Sequence, residues 1–247
     1  MAEYTSIFLL LTLCCSVFCN FCYSETNTLR QGQHLTDWDE LISPNKVFTS
    51  KFFSFGSSIK PYLGIFYTHR KTSDEKAVWV ANRNNPIKDI YGKLTIDDHG
   101  KLSILSGVHL FSPSTPVTRN ASATLLDTGN FVLQELNPDG SVKRVLWQSF
   151  DYPTDTLLPG MKLGINLKTG HRWSLTSWRS ETQPADGSFT LTGDPNGTDQ
   201  MAILRRGKVH WMSGSWQNGG FENTVLRDSP DVHLYYVSNE TEQSFTY

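Results

Sequence analysis

Two stretches of this chain, 29 positions apart, spell the same short hairpin. Leu94-Thr95-Ile96-Asp97-Asp98-His99-Gly100-Lys101-Leu102-Ser103-Ile104-Leu105 aligns with Ala123-Thr124-Leu125-Leu126-Asp127-Thr128-Gly129-Asn130-Phe131-Val132-Leu133-Gln134. Thr, Asp and Gly coincide, and apolar residues follow the Gly in both. Each copy reads as strand, Asp-x-Gly turn, strand, with the Gly free to adopt positive φ. One hairpin cannot bury an apolar face by itself, so repeated hairpins stack around a common core. A third, fainter copy lies near Phe48 to Phe55.

The rest of the chain agrees with an all-β fold. Short β-type runs cover Leu63 to Tyr67, Ala77 to Ala81, Lys93 to Ile96, Lys101 to Leu105, Ala123 to Leu126, Phe131 to Leu133 and Arg144 to Trp147. Gly, Asn, Asp and Pro separate them, and no long amphipathic helix is legible. A chain of 247 residues with 38% hydrophobic and 12% aromatic content can build a packed core in one or two domains. Its formal charge of −2 gives no electrostatic case for nucleic acid as a partner.

The N-terminus predicts a signal peptide over residues 1–24. Ile7 to Phe18 is apolar but, at twelve residues, too short to span a bilayer. Cys22 and Ser24 place fairly small residues three before and one before a cleavage after Ser24. No Lys or Arg precedes Ile7, so the free amino group alone supplies positive charge there. All four cysteines lie inside this segment. The processed chain would rely on its core rather than on disulfides, and loss of Glu3 would leave 22 basic against 23 acidic side chains. No later apolar run is long, so the expected product is secreted and extracellular, without a transmembrane segment.

Catalytic signals are lacking. The seven histidines are dispersed, without metal-ligand spacing. Asp97 with Asp98, and Asp37 with Asp39 around Trp38, read as turn or strand-edge carboxylates. No phosphate loop or kinase catalytic motif occurs. The expectation is a protein that is not an enzyme, with no catalytic, metal or cofactor-binding residues and no cofactor. Asn120-Ala121-Ser122, Asn196-Gly197-Thr198 and Asn239-Glu240-Thr241 are acceptor sequons, so Asn120, Asn196 and Asn239 are expected N-glycosylation sites in a secreted chain.

Several longer strings carry a family resemblance. Val78-Trp79-Val80-Ala81-Asn82-Arg83-Asn84-Asn85-Pro86-Ile87, Leu126-Asp127-Thr128-Gly129-Asn130-Phe131-Val132-Leu133, and the run from Trp147 to Met161 resemble the bulb-type lectin domain, and the junction after it, of plant S-locus glycoproteins and S-domain (G-type lectin) receptor-like kinases. Leu175-Thr176-Ser177-Trp178-Arg179-Ser180 and Pro184 to Thr190 resemble the start of a second lectin-like module. Ser213-Gly214-Ser215-Trp216-Gln217-Asn218-Gly219 resembles that family's Ser-Gly-Pro-Trp-Asn-Gly motif, departing at Ser215 and by the extra Gln217.

The resemblance implies an all-β bulb-type lectin β-prism, three small sheets about a pseudo-threefold axis, with Trp79 and Trp147 in the core, followed by an incomplete second lectin-like region. It divides the chain into a lectin domain at 25–148, a junction at 149–164 and an S-locus-glycoprotein-like region at 165–247. It implies a secreted, non-catalytic recognition module in extracellular signalling, such as pollen recognition. The expected partner is an extracellular protein or peptide, or another S-domain ectodomain. The alternative is a functional mannose-binding lectin acting on glycans.

The family's sugar motif is Gln-x-Asp-x-Asn-x-Val-x-Tyr. The first hairpin offers Asp97, His99, Lys101, Ser103 and Leu105 at those positions. The second offers Leu126, Thr128, Asn130, Val132 and Gln134. Only Asn130 and Val132 match, a degenerate sugar site, and unpaired polar groups in such a site cost about 1–3 kcal/mol each. At the far end, Val232 to Val237 and Ser244 to Tyr247 read as two strands around an Asn239 turn, the last of them leaving an open sheet edge.

Overall fold

The computed structural model describes residues 26–55, 62–69, 76–88, 91–105, 108–112, 120–223 and 233–247. The expected signal segment and its cleavage point lie outside these. Leucines recur every six residues at Leu29, Leu35 and Leu41, and each is the buried centre of a three-residue strand. These strands are β1 (Thr28–Arg30), β2 (His34–Thr36) and β3 (Glu40–Ile42). Each enters a different four-stranded antiparallel sheet.

The chain then completes the three sheets in reverse order. Strands β4 (Phe48–Phe53), β5 (Tyr62–Tyr67) and β6 (Trp79–Val80) join β3. Strands β7 (Lys93–Ile96), β8 (Leu102–Ile104) and β9 (Val108–Phe111) join β2. Strands β10 (Ala121–Leu125), β11 (Phe131–Leu136) and β12 (Val142–Gln148) join β1. Leu29 lies opposite Ala123, Leu35 opposite Leu94 and Leu41 opposite Ser50, so the three sheets have equivalent beginnings. Their inner faces share one core, with Leu41, Ile65, Leu94, Leu102, Leu125 and Phe131 at its centre. This is the expected three-sheet prism. Burying one such side chain contributes about 1.5–3 kcal/mol, and no hairpin has enough of them to stand alone.

The repeated Asp-x-Gly turns form as the sequence predicts. Gly100 has φ 76° and its N–H donates to the Asp97 carbonyl at 2.9 Å. Gly129 has φ 83° and donates to the Leu126 carbonyl at 3.0 Å. The faint third copy near Phe48 to Phe55 falls on β4 alone, one strand rather than a hairpin, which pairs with β5 from Phe48 opposite Tyr67 to Phe53 opposite Tyr62. The sequence marks no β-type run at β1 to β3 or at β9, which are three or four residues long.

Residues 149–164 are packed rather than free. Ser149–Asp151 forms one 3-10 turn, and Phe150, Leu158 and Met161 are buried in the prism core. Beyond it, β13 (Leu163–Asn166), β14 (Arg172–Trp173), β21 (Tyr235–Ser238) and β22 (Glu242–Thr246) form one sheet, and β15 (Leu175–Ser180), β16 (Gln183–Gly193), β17 (Met201–Arg205) and β18 (Lys208–Met212) another. A second core contains Leu163, Met201, Phe221 and Phe245.

The terminal hairpin forms around Asn239, but the expected open edge does not fall on the last strand. Strand β22 is interior, paired with both β13 and β21. Tyr247 also returns to the junction, its carbonyl accepting from the Gly160 N–H at 3.0 Å and its hydroxyl donating to the Leu157 carbonyl at 2.9 Å. The Asn218-Gly219 pair, both with positive φ, turns β19 (Trp216–Gln217) into β20 (Gly220–Phe221). Trp216 then packs on Phe221 at 4.9 Å, which accommodates the extra Gln217 without losing the core contact.

Candidate recognition surfaces

The prism presents three outward sheet faces, and sequence makes them different. On the first-repeat sheet, His34, Thr95, Ser103 and His109 lie across adjacent strands as a polar row. Asp97 is occupied by its own turn, accepting from the His99 and Lys101 N–H groups at 2.9 and 3.0 Å. On the second-repeat sheet the row is Thr28, Thr124, Val132 and Gln148. On the third sheet, Tyr62, Phe66, Ala77 and Val80 are buried beneath Phe53, Phe55 and Trp178. Trp178 belongs to β15, so the second region caps that face.

Asn130 and Val132 are both buried. The Asn130 side-chain amide donates to Gln148 Oε1 at 2.9 Å, and its Oδ1 accepts from Ser149 Oγ at 3.2 Å and from the Phe150 N–H at 3.3 Å. It therefore ties the β11 turn to the 3-10 turn. Its hydrogen-bonding groups are used inside the protein, and a buried amide so engaged is expensive to redirect.

Arg83 is a second buried polar centre, and sequence reasoning assigned it no role. Its Nε donates to the Pro184 carbonyl at 2.7 Å, and its Nη2 to the carbonyls of Thr176 and Ser177 at 2.9 and 3.0 Å. Asp186 Oδ1 lies 3.2 Å from Nε. Burial pulls the guanidinium below its usual pKa, while Asp186 and Asp155 oppose that shift. The neighbouring Asn84 exchanges two hydrogen bonds with Asp186, at 2.8 and 2.9 Å. Lys76 pairs with Asp155 at 2.6 Å, and Asp155 accepts from Trp178 Nε1 at 2.8 Å. The Asn-Arg-Asn stretch of the resemblance string is thus a clamp between the prism and the second region. Its specificity as a string was the available signal.

Beside the clamp lies a cleft of about 440 Å³ bounded by both regions. Trp79 and Trp147, expected in the core, are buried with rings edge to face at 6.0 Å, and Trp79 Nε1 donates to the Tyr152 carbonyl at 2.8 Å.

The three sequon asparagines are exposed. Asn120 has φ 71°. Asn196 sits in a turn where Asp194 accepts from the Asn196 N–H at 3.0 Å and from Thr198 Oγ1 at 2.6 Å. Asn239 Oδ1 accepts from the N–H groups of Thr241 and Glu242 at 2.7 and 2.9 Å. The paired carboxylates are structural: Asp39 Oδ2 accepts from Thr36 N–H and Oγ1 at 2.8 and 2.6 Å, and Asp37 accepts from the Gly92 N–H. Among the described residues no three His, Cys, Asp or Glu side chains converge as a metal site. Among them, too, no helix is long and apolar enough to cross a membrane.

Known proteins are similar to this chain in sequence over most of its length. The D-mannose binding lectin family model matches residues 76–179. The chain is 50% identical over 91% of its length to the Arabidopsis thaliana G-type lectin S-receptor-like serine/threonine-protein kinase At1g67520, of which it spans 28%. It is 51% identical over 90% of its length to the Arabidopsis kinase CES101, of which it spans 26%. It is 36% identical over 98% of its length to the S-locus-specific glycoprotein S6 of Brassica oleracea, of which it spans 54%. A monomeric monocot mannose-binding lectin from Gastrodia elata aligns with 50% of the chain and 94% of its own, at 18% identity and a TM-score of 0.36. The chain carries a bulb-type lectin domain and is a homologue, over most of its length, of the S-locus glycoproteins and the G-type lectin S-receptor-like kinases.

Proposed function

We propose that the chain is a secreted, non-catalytic recognition module of extracellular signalling, of the pollen-recognition type. It would act through contact with an extracellular protein or peptide, or with another S-domain ectodomain, rather than by holding mannose on its prism hairpins. The proposed division is a lectin domain at 25–148, a junction at 149–164 and an S-locus-glycoprotein-like region at 165–247. The proposed glycan sites are Asn120, Asn196 and Asn239.

The observation that carries this reading is the engagement of Asn130. The one polar residue matching the sugar motif in either hairpin spends its amide on Gln148, Ser149 and Phe150. Val132 beside it is buried. Titration of the isotope-labelled chain with methyl α-mannoside should leave the backbone amide signals of Asn130 and Val132 in place. Saturable shifts at both would restore the mannose-lectin alternative. Secreted material should begin close to Glu25 and lose mass on enzymatic removal of N-glycans. An intact Met1 in such material would reject the processing step.

A further inference from the structure

Four places in the chain put a glycine directly after asparagine or aspartate: Asp139-Gly140, Asp186-Gly187, Asn196-Gly197 and Asn218-Gly219. There a backbone nitrogen can attack the preceding side chain with least hindrance, because glycine carries no β-carbon. The fold restrains three of the four. Gly140 N–H donates to the Asn137 carbonyl at 2.9 Å, and Asp139 Oδ1 accepts from the Ser141 N–H and hydroxyl at 2.9 and 2.6 Å. Asp186 is held by Asn84 and Arg83, and Gly187 lies within β16. Gly197 N–H donates to the Asp194 carbonyl at 2.9 Å, while Asp194 Oδ1 accepts from the Asn196 N–H at 3.0 Å. Asn218-Gly219 differs. Both residues are exposed at the tip of the β19–β20 turn. Among the described residues neither the Asn218 side-chain amide nor the Gly219 N–H has a hydrogen-bond partner. No described atom lies within 4 Å of where a Gly219 Cβ would stand, so the tip has room to rearrange. The base below it is fixed: Gln217 Nε2 donates to Glu222 Oε1 at 2.7 Å, and Trp216 packs on Phe221 and Phe245 at 4.9 and 5.7 Å.

We propose that Asn218 is a site of spontaneous deamidation through a cyclic imide with Gly219. The Gly219 nitrogen, on losing its proton to hydroxide, attacks Asn218 Cγ. The bond from Cγ to Nδ2 breaks, and the amide nitrogen takes up a proton and leaves as ammonia. Water then opens the ring. Opening at Cγ gives aspartate, and opening at the main-chain carbonyl gives isoaspartate. Nothing is oxidised or reduced: asparagine and water become aspartate or isoaspartate and ammonia. Isoaspartate runs the main chain through Cβ and Cγ, which adds a backbone carbon to a turn of two residues and breaks the pairing of Gln217 with Gly220. Either product adds a carboxylate to a hairpin that already holds Glu222. The tip thus changes with time from tight and neutral to negative, and on the isoaspartate route lengthened as well, with Trp216 at its base.

The test incubates the whole purified chain, folded and urea-unfolded, in mildly alkaline buffer. Peptide mapping by mass spectrometry follows each asparagine, and enzymatic carboxyl methylation reads isoaspartate. In the folded chain, conversion at Asn218 should exceed that at Asn196, with or without a glycan there, by about fivefold or more, the factor given by one hydrogen bond of ordinary net strength. It should yield isoaspartate as well as aspartate, quicken as pH rises, and bring in a second Trp216 indole NMR signal in proportion. Asn218→Gln should show no conversion at the tip, since its longer side chain would have to close a larger ring. Should that variant fail to fold, isoaspartate in wild type still identifies the imide route. Asn218 left intact in the folded chain when Asn196 has converted, or when the unfolded chain has converted Asn218 fully, would overturn the proposal. So would aspartate formed without isoaspartate.

Discussion

At Arg83, a guanidinium taken out of water is matched by three carbonyls and one carboxylate. Removing it strands those acceptors at a buried boundary. Arg83→Ala should therefore lower stability by about 3 kcal/mol, read as a fall in the urea midpoint. Arg83→Lys keeps the charge but cannot reproduce the fork, so it should fall between the two. Asp37 offers a pH test. Burial raises its carboxyl above the ordinary 3.8, against a lowering by the Gly92 N–H. Because the folded pKa is raised, its contribution to stability is largest below the unfolded value and is lost as pH rises through the folded one. Relative to wild type, the Asp37→Asn variant should gain stability in urea unfolding as pH rises from below the ordinary carboxyl value of 3.8 to neutrality. An unchanged difference across that interval would show that Asp37 is not desolvated.

At the scale of elements, a strand is only as regular as its closest neighbour permits. Gly164 in β13 lies between β14 and β22, and a Cβ there would sit 2.7 Å from the Ser244 Cα. Its φ of 149° also suits glycine alone. Gly164→Ala should cost at least about 1–3 kcal/mol, the scale of core overpacking, visible as a lowered melting temperature and a weakened terminal hairpin. The prism hairpins were legible because their apolar alternation and Asp-x-Gly turns are local. Strands β1 to β3 were not: each buries one leucine in three residues, and a three-residue run has no measurable period. Only the six-residue spacing of Leu29, Leu35 and Leu41 marks them.

Across the whole molecule, the clamp, the Trp178 cap and the return of Tyr247 to the junction join the two regions. Limited proteolysis of wild type should therefore spare the strands of both. In Arg83→Ala, fragments should appear early, with loss of residues from about 165 onward and a resistant core ending near Met161, whose side chain belongs to the prism core. Identical cleavage patterns in the two proteins would show that the clamp does not couple them.

The sequence by itself determined the strand class, the two clear hairpins with their turn glycines, and the loss of the sugar motif at all but Asn130 and Val132. Those features depend on neighbours a few residues away, where backbone period and turn chemistry act directly. Tertiary structure alone decided that β1, β2 and β3 go to three different sheets, that Asn130 faces Gln148 and Ser149, and that Arg83 reaches Pro184 across 101 positions. Such contacts are selected by burial of the whole core and by the need to pair every desolvated polar group. Which distant residues meet is not written in local periodicity or turn chemistry.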